Sequence, residues 1–568
     1  MKKIGIDFGT TYSTICYVDE SFQPGDGNYL LPYETGAGDT LIPTAVAYHI
    51  DDSTDVLVGR EALDMVDNPE YHVCRHFKML LALEGTPLLM QFIAEHPDYA
   101  MYTSHTPSKV AHDFFAHMLE WYQHANKVGQ IEKIVLTMPL VWTGFDQQLH
   151  ENTGSAQKLL SQALQTASTK VCGGKHKTKV EIRSEPEAAA GYFAYLYKLQ
   201  HGQYLNGQML VVDHGGGTLD VTLADVTHSE DGIKVASKAR SGKGRHLDYA
   251  LGVAGVAYDR ALADLALQNA KRALEGADLS EFLDKLEYLK RQPGMRTRLN
   301  AFHTKGINNQ GMNPKGIPIM PVLCKQAFVA VNEQPLQQAL EEVFQEHSQE
   351  AKSPNLHVAL AGGFSNLPFV EHLVRRYFGA KEDIDDTSDQ RFALSTLAQR
   401  THAIAMGAAL VAAQKVTIED KLHYEIGVYV YTIATGEVFE PVIAYGTEYK
   451  QLQQVIWMST PVQGGAEGIK LGLKESGRAD RAARPFRLKH LNAGKNRLGA
   501  VSAKSMVPDY EPSSYYRIGF SVPTDDESGV SGRHELTIHF RNEATGKERT
   551  FPIGEVFIEF DTRVDKVQ

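Results

Sequence analysis

The 568 residues include 43% hydrophobic and 22% charged side chains, an ordinary soluble composition, and are too many for one hydrophobic core, so at least two domains are expected. A net charge of −12 argues against general affinity for nucleic acid. The four cysteines (Cys16, Cys74, Cys172, Cys324) are scattered like reduced thiols, no run reaches transmembrane length, and Asp7 interrupts any leader-like apolar stretch, so a cytoplasmic protein without membrane attachment is expected.

The chain opens on the apolar run Ile4-Gly5-Ile6, then Asp7-Phe8-Gly9-Thr10-Thr11-Tyr12-Ser13, then a second strand from Thr14 to Val18. Residues 20–45 are rich in Gly, Pro and Asp and read as loop. Short strands at Ala45–Tyr48 and Val56–Gly59 and a short helix from Arg60 to Val66 follow. Ser108 to Gln123 carries apolar residues at helical spacing behind Thr106-Pro107. Ile134 to Pro139 reads as a buried strand closed by proline, Asp146 to Ala167 as a long helix, and Lys170 to Lys179 as a basic turn. Glu185-Pro186-Glu187 opens a helix with proline and acids in its first turn, as the helix dipole favours.

Met209 to Val212 then leads into Asp213-His214-Gly215-Gly216-Gly217-Thr218-Leu219-Asp220 and a strand from Val221 to Val226. Residues 247–290 read as mostly helical, Gly306 to Pro321 as a surface hairpin, and Leu356 to Phe364 as a strand running into Gly362-Gly363. Helices are expected at Pro368–Phe378 and Ala403–Ala413, the latter packed closely through Gly407. Past Gln414, alternation of period two dominates, at 427–431, 469–473, 516–520, 536–540 and 556–560, which is the pattern of a β-sandwich.

The stretches at Asp7 and Asp213 read as halves of one device. Each is a strand ending in an acid, then glycines and hydroxyls, then a second strand. Glycine hairpins let backbone N–H groups approach phosphate oxygens, and an Asp at the strand end suits a hydrated Mg²⁺. Two such hairpins facing each other would grip a nucleoside triphosphate from both sides. His72-x-Cys74-x-His76 offers a metal reading, against which stand its alternating spacing and the lack of a fourth ligand. The basic segment Arg478 to Arg497 reads as a solvated loop, or else as a site for an acidic partner or a nucleic-acid backbone.

With both hairpins, Phe77-Lys78-Met79-Leu80, Met138-Pro139, Glu185-Pro186 through Ala190, Ala361-Gly362-Gly363 and Ala405 through Ala409 in this order, the chain resembles the seventy-kilodalton heat-shock (DnaK-like) chaperones. The resemblance implies a two-lobed actin-like (duplicated ribonuclease-H-like) α/β ATPase domain at 1–413, a linker at 414–424 and a β-sandwich binding domain at 425–568. It implies ATP/ADP and Mg²⁺ as cofactors, with Asp7 and Asp213 holding the metal through water and Glu185 close by. Lys78 would stabilise charge on the γ-phosphate, and Asp220 would orient water or metal ligands. Gly9, Thr10, Thr11, Tyr12, Gly215, Gly216, Gly217 and Thr218 would hold phosphates, and Gly362, Gly363 and Phe364 the adenosine side.

The sequence also departs from the family pattern. His214 stands where an apolar residue is usual, and Asn366 where an arginine stacks on the base. The adenine-side helix, which carries Glu-x-x-Lys-Arg and a Ser in the family, is read here at Pro293 to Asn300, with Arg296 and Asn300 as stand-ins. Lys415 to Asp420 replaces the acidic-leucine linker. No amphipathic helix follows Phe560, so a member without the helical lid is expected. The function implied is an ATP-driven, chaperone-like coupling of nucleotide state to a protein client or dedicated partner held by residues 425–568, with a co-chaperone or exchange factor. A nucleotide-dependent scaffold is the alternative. A small-molecule kinase or actin-like filament shares the fold but has no C-terminal β domain.

Overall fold

The computed structural model describes most of the chain; the principal stretches outside it are 140–154, 173–177, 245–252, 420–424, 475–483, 489–498, 522–529 and 556–568, with shorter breaks elsewhere. By its contacts the chain divides into two compact units, one running to Ile418 and one beginning at Glu419.

In the first unit, strand Lys2–Asp7 pairs antiparallel with Tyr12–Val18, placing Asp7 opposite Thr14, and parallel with Ile131–Met138, placing Asp7 beside Thr137. Lys179–Ser184 extends this sheet in parallel on one side, and Leu30–Pro32 pairs antiparallel with Tyr12–Val18 on the other. A second sheet has the order His357–Ala361, Gly207–His214, Leu219–Ser229, Gly232–Lys243, Val416–Ile418. Its central hairpin sets Asp213 opposite Asp220, and the parallel neighbour sets Asp213 beside Ala361. Strands flanked on both faces read as near-continuous apolar runs, which is why Met209, Leu210, Val211 and Val212 are all fully buried.

Phe8, Phe77, Phe114 and Phe115 centre one apolar cluster, and Leu210, Val212, Phe364 and Phe369 belong to another. A third joins Val135 and Val211 to the small faces of helices Glu185–His201 and Ala403–Ala412. These two helices are in backbone contact: a Cβ on Gly407 would lie 1.8 Å from the Ala188 carbonyl oxygen. The alanine runs Ala188–Ala190 and Ala403–Ala412 therefore permit close approach rather than merely supply helix propensity.

Several readings need correction. The expected loop at 20–45 contains the short strands Leu30–Pro32 and Ile42–Pro43. The twelve-residue strand Gly232–Lys243 and the helical run Pro321–Phe344, with a π turn at Val329–Glu333, were not foreseen. The strand alternates buried and partly buried positions behind lysines and serines, a weak signal in sequence. Within the expected linker, Val416–Ile418 forms a strand that pairs in parallel with Ile233, Lys234 and Val235. Of the expected helix from Asp146 to Ala167, only the part within Ser155–Val171 lies in the described residues.

In the second unit, Glu425–Thr432 pairs with Gly436–Ile443 and Lys470–Lys474. Tyr515–Ser521 pairs with Ile456–Trp457 and Glu535–Asn542, which in turn pairs with Glu548–Glu555. Ile426, Val428 and Leu471 from the first sheet share one core with Ile518, Phe520, Ile538 and Phe540 from the second, so the two sheets pack face to face. The expected strand at 556–560, most of the basic segment Arg478 to Arg497, and the end of the chain on which the lid expectation rests lie outside the described residues.

Gly407→Ala is expected to lower stability by about 1–3 kcal/mol, because the added methyl must displace the Ala188 backbone. The shift in the urea unfolding midpoint checks this.

Candidate functional site

Pairing places Asp7 at the end of its strand, and the chain turns back through Gly9, where a Cβ would lie 2.0 Å from the Tyr12 carbonyl oxygen. The second hairpin closes with the Gly215 amide donating to the Thr218 carbonyl at 3.0 Å. The two hairpins meet. A Cβ on Gly216 would lie 2.5 Å from Thr11 Oγ1, and one on Gly217 would lie 2.6 Å from Thr10 Oγ1. Helix Gly255–Ala270 starts on this loop: the Gly255 and Val256 amides donate to the carbonyls of Gly215 and Gly216 at 3.2 and 2.8 Å. Its positive end thus lies at the hairpin, where negative charge is favoured.

Lys78 sits on the single helical turn Phe77–Leu80 and is buried, with its Nζ donating to Glu185 Oε1 at 2.7 Å. Glu185 is the first residue of its helix, immediately after strand Lys179–Ser184. Carboxylate oxygens of Glu185, Asp213 and Asp220 lie within 4.8 Å of one another, the one grouping with metal-ligand reach among the described residues. His72, Cys74 and His76 therefore form no such group; Cys74 faces the core, and His76 Nδ1 shares a hydrogen bond with the Tyr99 hydroxyl at 2.9 Å.

The electrostatics are lopsided. Burial, then the charge of Glu185, pushes the Asp7 carboxyl up to about 7, against the pull of Lys78. Burial also raises Asp213 well above its usual range, with Glu185, Asp220 and Asp7 adding to it. Asp213 Oδ2 is buried without a hydrogen-bond partner. An oxygen-only donor set with an orphaned carboxylate oxygen fits a hard divalent cation.

Strand His357–Ala361 brings Gly362 to the same place. Its φ is +80°, and a Cβ there would lie 2.5 Å from Asp213 Oδ1, so two constraints exclude a side chain. Phe364 is buried edge-on to His214, with ring centroids 4.8 Å apart. His214 is wholly buried, and burial depresses its imidazole to about 3, so it serves as a neutral ring in an apolar setting. That gives a physical account of the departure at this position.

The residues expected on the adenine side, Arg296 and Asn300, both have partners within the protein. Arg296 donates to the Asn366 carbonyl at 2.9 Å and pairs with Glu371 at 3.2 Å. Asn300 spends its amide hydrogens on Asp383 and Asp385, while its Oδ1 meets His372 Nε2 at 3.0 Å. Both side chains are engaged within the protein. The Glu-x-x-Lys-Arg spacing itself occurs at Glu287-Tyr288-Leu289-Lys290-Arg291, at the end of helix Gly276–Lys290. Arg291 lies 4.4 Å over the Tyr12 ring and donates to its hydroxyl at 2.8 Å; Lys290 pairs with Asp259 and lies 5.6 Å from the Phe364 ring centroid. Arg291 thereby touches the first hairpin and Lys290 the turn Gly363–Asn366, which Arg296 also meets through the Asn366 carbonyl.

The family model described as Hsp70 protein matches residues 178–428. Over these residues the chain is similar to Hsp70/DnaK-like proteins. It is similar to chaperone protein DnaK of Thermotoga petrophila, 23% identical over 551 residues that cover 93% of this chain and 78% of the relative. Chaperone protein DnaK of Thermotoga neapolitana is 24% identical over 549 residues, covering 93% and 78%. That of Stenotrophomonas maltophilia is 24% identical over 423 residues, covering 70% and 59%. The family match supports a chaperone-type ATP-binding protein, and its members are ATPases that bind nucleotide with Mg²⁺.

Arg296 belongs to a buried cluster in which Glu371 also pairs with Arg375 and Arg400 at 2.9 and 2.8 Å. Burial alone would raise the Glu371 carboxyl, but Arg400, Arg375 and Arg296 together outweigh it and hold it at about 2. A carboxyl depressed in the folded state contributes stability that is present above its unfolded value of 4.5 and is lost as pH falls through about 2. Glu371→Gln is expected to cost about 3–5 kcal/mol at neutral pH, as breaking a buried pair does. The gap between variant and wild type should shrink as pH falls from 4.5 toward 2, read by denaturant melts at several pH values.

Proposed function

We propose that this Hsp70-like chain binds ATP with Mg²⁺ between its two glycine hairpins, hydrolyses it slowly to ADP and phosphate, and couples nucleotide state to a protein client or dedicated partner. The observation that carries this reading is the convergence, at two facing hairpins, of the Lys78–Glu185 pair and the Glu185, Asp213 and Asp220 carboxylates. The proposed organisation is an ATPase domain at 1–413 built as two related actin-like lobes, a linker at 414–424 and a partner-binding β-sandwich at 425–568. Each lobe would contribute one sheet with a hairpin beside a parallel strand. Among the described residues no helix is long and apolar enough to cross a membrane.

Phosphoryl transfer to water needs positioning and charge neutralisation more than covalent help. The backbone N–H groups of the Gly9–Tyr12 and Gly215–Thr218 turns would bind phosphate oxygens, with the Thr10, Thr11 and Thr218 hydroxyls adding donors. Asp213 and Asp7, with Glu185 and Asp220 behind them, would hold a hydrated Mg²⁺, which when bound supplies neutralising charge to the phosphates. Lys78, fixed by Glu185, would place its ammonium where negative charge builds on the γ-phosphate, and Asp220 would orient the attacking water. Lys290 and Arg291, in place of Arg296 and Asn300, would take the adenosine side together with Gly362, Gly363 and Phe364.

Lys78→Ala and Thr218→Ala are expected to slow hydrolysis on the order of 10²-fold or more while nucleotide still binds. Single-turnover kinetics beside a nucleotide-binding titration checks this; wild-type turnover in both variants would remove the site assignment. Adding an unfolded model protein to the turnover assay separates a general chaperone, which is stimulated, from a scaffold, which is not.

A further inference from the structure

The chain enters the turn that carries Lys78 through an unusual residue. Strand Tyr71–Arg75 ends one residue before His76, which caps Phe77–Leu80 in the left-handed conformation, φ 58° and ψ 16°. For a non-glycine residue that conformation persists only where its surroundings enforce it. Three ties do so. The Tyr102 hydroxyl donates to the Arg75 carbonyl at 2.6 Å, and the Tyr99 hydroxyl meets His76 Nδ1 at 2.9 Å. Both tyrosines come from the nearby turn Pro97–Thr103. The third tie is remote: Arg75 Nη1 reaches Asp284 Oδ1 at 2.8 Å, and Nη2 lies 3.9 Å from Glu287 Oε2, both on helix Gly276–Lys290.

That helix leads directly into Arg291, which stacks on Tyr12 of the first hairpin. This helix and the Arg291 that follows it thus touch the proposed base side, the first hairpin and Arg75, the residue just before the left-handed His76 that leads into the Lys78 turn. We infer that Arg75 is a positioning residue for Lys78: its pairing with Asp284 and Glu287 makes the seat of helix Gly276–Lys290 a condition for holding the Lys78 ammonium beside Glu185. The consequence is that a nucleoside engaged at Lys290 and Arg291 sets the lysine that acts on its phosphate. The inference rests on the reading of Lys78 given above. It matters because a misplacement of about 1 Å in a charge-stabilising group is enough to cost on the order of 10²-fold in rate.

The test compares wild type with Arg75→Ala, Asp284→Ala and the exchanged pair Arg75→Asp with Asp284→Arg, each checked for folding by thermal melt. Two readouts are used: acylation of Lys78 by a water-soluble succinimidyl ester, followed by mass spectrometry, and single-turnover hydrolysis of MgATP. In Arg75→Ala, Lys78 should acylate about tenfold faster while exposed Lys352 reacts as in wild type. Hydrolysis should slow on the order of 10²-fold with little change in MgATP affinity, and the exchanged pair should recover much of both. Asp284→Ala, at a partly exposed position, should move both readouts in the same direction and decides the matter if Arg75→Ala does not fold. Unchanged Lys78 acylation in folded single variants, or no recovery in the exchanged pair, overturns the inference. Faster Lys78 acylation in the variants of a protein that turns over no ATP supports Arg75 as a positioning residue and removes the ATPase reading instead.

Discussion

A buried lysine amine that faces more carboxylates than it can neutralise is the constraint on which the rest of the first unit depends. Lys78 pairs with Glu185, yet Asp213 and Asp220 stand within reach of the same carboxylate, and Asp213 feels Glu185, Asp220 and Asp7 together. Burial first, and the neighbouring carboxylates after it, raise Asp7 and Asp213 against the pull of the one lysine, and protonation relieves this at a cost in charge. A cation relieves it without that cost. The cluster therefore costs stability in the protein alone and favours a bound ion, as a functional site built at the expense of the fold would.

Keeping those side chains together requires that two sheets meet at their hairpin ends. The alanine and glycine faces of Glu185–His201 and Ala403–Ala412 do this by letting backbones touch at Gly407 and Ala188. Gly216 and Gly217 repeat the device at the hairpins themselves, where any Cβ would collide with Thr10 or Thr11. Small residues, more than large apolar ones, decide how close the acids lie. The aromatic clusters around Phe8 and Phe364 then fix the hairpins from behind, with His214 used as one more neutral ring.

Much of this was legible in the sequence because local chemistry carried it. The Asp-glycine-threonine turns, the lysine segment at 78, the Glu-Pro helix start and the Gly362-Gly363 strand end are each short patterns with a mechanism, and the fold brings together Lys78, Glu185, Asp213 and Asp220. What was not legible depended on long-range pairing. Arg75 lies in an unexceptional strand until Asp284, far along the chain, is placed beside it. Strand Gly232–Lys243 shows too little apolar character to stand out, and Val416–Ile418 becomes a strand only by pairing with it. Pro293 marks a true helix start, and the Glu-x-x-Lys-Arg spacing closes the helix before it, so local pattern alone did not separate the two as candidates for the base side.

The central claim, that the acid cluster beside Lys78 is a metal–nucleotide site, is tested most directly by calorimetric titration of ATP into the wild-type protein and Asp213→Asn, each with Mg²⁺ and with a chelator. The account expects wild-type binding that tightens with Mg²⁺ and a variant in which that metal dependence is largely lost. ATP binding of equal strength with and without Mg²⁺ in the wild type, or full metal dependence in Asp213→Asn, would contradict it.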